Sequence, residues 1–98
     1  MKVRNMTSSK GNPVANQFII TDREDDYDIV VFQSYDSVIV RQHNRVDGST
    51  GTLLDEHYWD YSVTTSRYRN QFLGETKAET QKKIDSGEYI LANLNGES

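Results

Sequence analysis

The hydrophobic period of this chain changes once, near residue 62, and that change bounds what it can fold into. Upstream, apolar residues gather in clusters of strand length. Phe18-Ile19-Ile20 centres a first strand over residues 14–21, and a second covers residues 27–33. Val38-Ile39-Val40 begins a third, and Thr52-Leu53-Leu54 marks a fourth. Downstream, Tyr61, Thr65, Tyr68 and Phe72 recur at spacings of four, three and four, which aligns them on one helical face. Asp60 and Ser62 compete for the N-cap, and Gly74 supplies the left-handed stop. Thr76 and Glu79 then form a capping box that starts a second helix, which ends at Gly87 and carries a thin apolar stripe of Ala78 and Ile84. A last strand spans residues 89–94, with Ile90, Ala92 and Leu94 on one face. Strands followed by two helices and a closing strand predict an α+β fold. The expected architecture is a four- or five-stranded, mostly antiparallel sheet with two short helices.

Ninety-eight residues make one domain, and with 35% of them hydrophobic its core must be concentrated. The polar opening stretch, residues 1–13, lacks periodicity and is expected to be a flexible arm or an edge segment. The domain proper is placed at 14–98. The second strand carries Ile29 and Val31 on one face and Val30 and Phe32 on the other. It is therefore a central strand, covered on both sides or on one side plus a partner. The expected core is Trp59, Tyr68 and Phe72, completed by Phe18, Ile29, Val31, Val38 and Val40, and Phe72→Ala should cost about 3–5 kcal/mol if that ring is fully buried. The polar loop 42–51 is expected to be mobile and a natural seat for function.

The absence of cysteine excludes disulfides and cysteine-ligated zinc and suits a reducing compartment. No apolar run approaches bilayer length, and the first residues carry no apolar signal core, so neither a membrane nor secretion is expected. The net charge of −4 is unevenly spread. Residues 1–61 hold six basic and ten acidic groups, whereas residues 62–87 hold five basic and three acidic. Duplex nucleic acid is a poor partner for most of such a surface.

No phosphate-binding glycine loop, nucleophile elbow or HExxH pair is present, so no catalytic residue, and no enzyme, is expected. His43 and His57 flank the 42–51 loop, and Asp55 or Glu56 could join them, but their spacing is not that of a metal site. Neither a metal nor a cofactor is expected. Asp55 and Glu56 are strand neighbours that point to opposite faces and cannot share a proton. The aromatic run Tyr58-Trp59-Asp60-Tyr61 could stack bases beside Arg67 and Arg69, yet large rings serve a small core better. Tyr58 and Tyr61 are its expected half-exposed members. The two helices also suggest helix-turn-helix binding, but Glu79 and Asp85 interrupt the positive field and a sheet replaces the third helix. Residues 22–28 carry five carboxylates against one arginine, either a solvated turn or an imitation of nucleic-acid phosphates offered to a basic partner.

Four ordered segments carry a resemblance. Val14-Ala15-Asn16-Gln17-Phe18-Ile19-Ile20, Phe32-Gln33-Ser34-Tyr35-Asp36-Ser37, Trp59-Asp60-Tyr61-Ser62-Val63-Thr64-Thr65 (with Tyr68 and Phe72-Leu73) and Lys83-Ile84-Asp85-Ser86-Gly87-Glu88-Tyr89 resemble a family of small proteins of tailed bacteriophages and prophages. The resemblance implies a phage origin and action in the cytoplasm of the infected bacterial host, and it supplies no activity. The turn at 22–28 and the loop at 42–51 are longer than that family's pattern.

These features converge on a phage accessory protein that binds and inhibits a host protein. The expected partner is a nucleic-acid-binding nuclease complex of host defence, as for anti-CRISPR proteins. The expected contacts are Asp22, Glu24, Asp25, Asp26 and Asp28, with Tyr58 and Tyr61 second. An anion-binding face of Arg67, Arg69, Lys82 and Lys83 serves the alternative, a nucleic-acid-binding accessory protein, although direct nucleic-acid binding is disfavoured. A virion or assembly component is the third reading.

Overall fold

In the computed structural model, residues 1–96 are described; Glu97 and Ser98, which close the expected domain, lie outside the described residues. Strands β1 (Lys2–Thr7), β2 (Pro13–Glu24), β3 (Tyr27–Ser34), β4 (Ser37–Arg45) and β5 (Thr50–Asp55) precede helices α1 (Val63–Leu73) and α2 (Lys77–Ser86) and strand β6 (Tyr89–Ala92). The sheet has six strands in chain order, one or two more than expected. Four neighbouring pairs are antiparallel, and β5 and β6 run parallel, joined by the α1–α2 crossover. The α+β class and the two helices are as the sequence predicts.

Residues 2–7 form an edge strand rather than a flexible arm. They lack apolar periodicity because an edge strand needs only Met6 in the core, which is 2% exposed, while the ladder with β2 supplies the rest. The 42–51 segment is likewise mostly strand: pairing between β4 and β5 continues to Asn44 and Thr50, which leaves a short turn. Its polar side chains look like a loop in sequence because much of one sheet face there is open to water.

Both helices cover the face that carries Phe32, Val40, Leu54 and Tyr89. Ser62 caps α1, its side chain accepting from the Thr65 N–H, and Gly74 and Gly87 end the helices at φ 70° and 84°. The Thr76–Glu79 capping box is complete in both directions. Met6, Ile39, Tyr68 and Tyr89 join Phe32, Val40 and Leu54 in the core. A bulge in β4 beside Phe32 and Gln33 accommodates Ile39, which is fully buried. Of the expected core, Ile29, Val40 and Tyr68 are buried. Trp59, Phe72, Phe18, Val31 and Val38 are half-buried. Phe72 lies at the rim, stacked on Phe32 at 5.8 Å, and Trp59 holds the Arg69 guanidinium over its ring at 5.1 Å.

Polar burial is heavier than the composition suggests. Gln17, Ser34, Asp55, Thr65, Arg69 and Thr80 are all inaccessible to solvent. Ser34 and Thr65 bond each other at 2.9 Å and tie β3 to α1. Asn95 closes the sheet where β5 turns away: its side-chain amide accepts from the Val38 N–H at 2.7 Å and donates to the Val38 carbonyl at 3.0 Å.

Candidate functional site

The β2–β3 hairpin ends in a two-residue turn, Asp25-Asp26, with Asp25 in the left-handed region at φ 41°. That geometry gathers Asp22, Glu24, Asp25, Asp26 and Asp28 at one end of the sheet, and all five are exposed. Local cations temper them. Arg23 lies 3.5 Å from Asp28, and the Met1 amino group 3.6 Å from Asp22. Glu24 accepts from the Tyr27 hydroxyl at 2.8 Å, which with the carboxylate's charge raises the tyrosine's pKa. Asp25 and Asp26 form the outermost pair.

Tyr58 and Tyr61 meet edge to face at 5.2 Å, with Tyr61 about half exposed. They follow the C-terminal end of β5, whereas the acidic turn adjoins the start of β3, so the two expected contact groups sit at opposite ends of the sheet. They do not form one surface.

The four cations of the alternative site do not converge either. Arg69 is fully buried, held by the Trp59 carbonyl, Asn70 Oδ1 at 3.0 Å and Asp60 at 3.6 Å. Burial lowers its pKa, and Asp60 works against that. Burial also raises the Asp60 carboxyl, but hydrogen bonds from Lys77 and Ser66 and the neighbouring cations outweigh it and hold the group below the usual range. Lys83 lies 2.8 Å from the buried Glu75, and the hydrogen bond between them raises its pKa. Arg67 and Lys82 remain exposed on separate helices. In the sequence Arg69 and Lys83 read as surface cations because their partners, Asp60 and Glu75, sit in turns outside the helices that carry them.

His43 pairs with Gly51 near the turn of the β4–β5 hairpin, while His57 lies beyond the other end of β5, 3.7 Å from Glu56. They do not share a site, and among the described residues no cluster of three or more potential ligands exists. Asp55 is structural: it accepts from the backbone N–H groups of His57, Tyr58 and Leu94 at 2.8–3.0 Å.

The sheet face away from the helices went unassigned in the sequence. One rung crosses all six strands as Val3, Ile20, Val31, Arg41, Leu53 and Ile90. The next carries Asp22, Ile29, His43 and Gly51, and a third carries Glu24, Tyr27 and Arg45. Val3 and Ile90, at the two edges, are each 57% exposed. A groove of about 340 Å³ runs over Ile20, Ile29, Val31 and Arg41 to Leu94. The signal for this face was present in β3, whose apolar residues point both ways although helices cover only one side. Among the described residues, no helix is long and apolar enough to cross a membrane.

The chain belongs to a protein family of unknown function, DUF8033, whose model matches residues 1–88, from the edge strand through both helices. No curated protein and no solved structure matches the chain.

Proposed function

We propose that this family member is a small phage accessory protein that works by binding rather than turnover, occupying a basic surface of a host protein with its acidic hairpin end. The observation that carries this reading is the gathering of five exposed carboxylates at one hairpin end, with the Asp25-Asp26 pair outermost. A basic surface evolved to hold nucleic-acid phosphates is the natural complement of such a cluster. The target is a nucleic-acid-binding nuclease complex of host defence, met in the cytoplasm of the infected bacterium. Phage origin rests on the four resembling segments; small size and net negative charge fit an inhibitor of this kind.

The nucleic-acid reading loses support from the burial of Arg69 and the engagement of Lys83 by Glu75. Tagged protein captured from infected-host lysate should retain a nuclease subunit in stoichiometric amount, and adding the pure protein should suppress that nuclease. Asp25→Asn/Asp26→Asn should weaken both effects. Capture of nucleic acid, or of capsid or tail proteins in the nuclease's place, would refute this reading.

A further inference from the structure

The open sheet face has a charge order that repeats along the strands. Its β2 row is acidic at the hairpin end, with Asp22 and Glu24, and its β4 row is basic at Arg41 and Arg45. Burial and these two arginines lower the pKa of His43 between them, so that imidazole offers a hydrogen bond rather than a charge. Between them runs the β3 row of Tyr27, Ile29 and Val31. A two-fold axis lying along β3, between two stacked sheets, exchanges left and right while keeping the level along the strand. Such an axis lays the β2 row of one copy over the β4 row of the other. Glu24 then faces Arg45 of the second copy, and Asp22 faces His43. Val31 meets its own equivalent and Ile20 lies along the Arg41 stem, while Ile29, already buried in the single chain, adds little.

We propose that this face is an isologous homodimer interface in which two copies stack sheet on sheet, acidic row over basic row. A surface that is self-complementary in charge about its own midline fits a second copy of this chain better than an unrelated partner. Two further observations support it. Among the described residues, the Arg41 Nε is buried without a hydrogen-bond acceptor, and stacking brings the acidic row of a second copy within reach. The face also exposes the apolar Val3 at its β1 edge, and this axis lays Val3 over Leu53 of the second copy. The axis runs along the strands, so both acidic hairpin turns fall at the same end of the dimer; Asp22 and Glu24 enter the interface, and Asp25, Asp26 and Asp28 are the carboxylates left to meet a host protein. The inference goes beyond the proposed function and needs no partner for its test.

Sedimentation velocity on the pure full-length chain should give twice the chain mass. Glu24→Arg alone and Arg45→Glu alone should each raise the dimer dissociation constant at least tenfold, since each opposes like charges at two places. Mixing these two variants should restore a dimer, because the mixed pair brings opposite charges together at both places. Val31→Asp, checked for folding by circular dichroism, should be monomeric. A wild-type monomer throughout the concentration range overturns the proposal. So does a dimer that persists in both Val31→Asp and Glu24→Arg, or a mixture that fails to recover.

Discussion

Asp55 holds three backbone N–H groups with one buried carboxylate and so fixes both the exit from β5 and the return of the chain after β6. Asp55→Ala leaves those amides without their acceptor, each worth about 1–3 kcal/mol when buried. Some regain water in the exposed loop, so a net loss of about 2–4 kcal/mol is expected in urea unfolding, with little change in the denaturant slope. Tyr89 offers a second residue-scale test. Burial and its hydrogen bond to Glu75 push its pKa up to about 12. The unfolded tyrosine ionises near 10, so between about pH 10 and 12 the unfolded state holds fewer protons than the folded one, and stability falls as pH rises. Lys83, also raised, acts in the same direction: its contribution is full below its unfolded pKa and is lost through the folded one. Melting temperature should therefore fall over this window in the parent, and less steeply in Tyr89→Phe. Equal slopes would rule out the raised tyrosine.

At the scale of elements, the helices were the most legible part of the sequence. Ser62, Gly74, Thr76, Glu79 and Gly87 are local signals, each satisfying a terminal backbone group within a few residues, and the structure uses every one of them. Strand ends were less legible because pairing, not side-chain type, decides where a strand stops. Polar residues 42–44 and 50–52 pair with each other, and residues 42–45 also pair on their other side with residues 27–30, which no local residue type announces. For the same reason the sequence left residues 1–13 open between a flexible arm and an edge segment, and missed the parallel placement of β6, which follows from the crossover and not from any motif. Phe72 shows how a correct helical face can still misplace its burial. The ring sits at the edge of the helix–sheet contact, and Phe32 beneath it is the one fully enclosed. Phe32→Ala should thus cost about 3–5 kcal/mol, and Phe72→Ala should cost less, about 2 kcal/mol. The reverse order in chemical unfolding would mean that α1 packs deeper than the structure has it.

Over the whole molecule, the two candidate contact groups occupy opposite ends of one sheet, which separates their predicted effects. The sequence showed the acidic turn directly, because its residues are contiguous. It could not show that Tyr58 and Tyr61 lie remote from that turn, nor that three rungs of β2, β3 and β4 make a patterned face, because register is a long-range property. An acidic end that steers the chain to a basic partner should act on encounter more than on residence. The most direct test is the association rate with the captured host partner, measured for the parent and for Asp25→Asn/Asp26→Asn at two salt concentrations. The double variant should associate several-fold more slowly at low salt, the gap should shrink as salt rises, and dissociation should change little. Unchanged association in that variant, with fast dissociation in Tyr61→Ala instead, would contradict the account and move the working surface to the other end of the sheet.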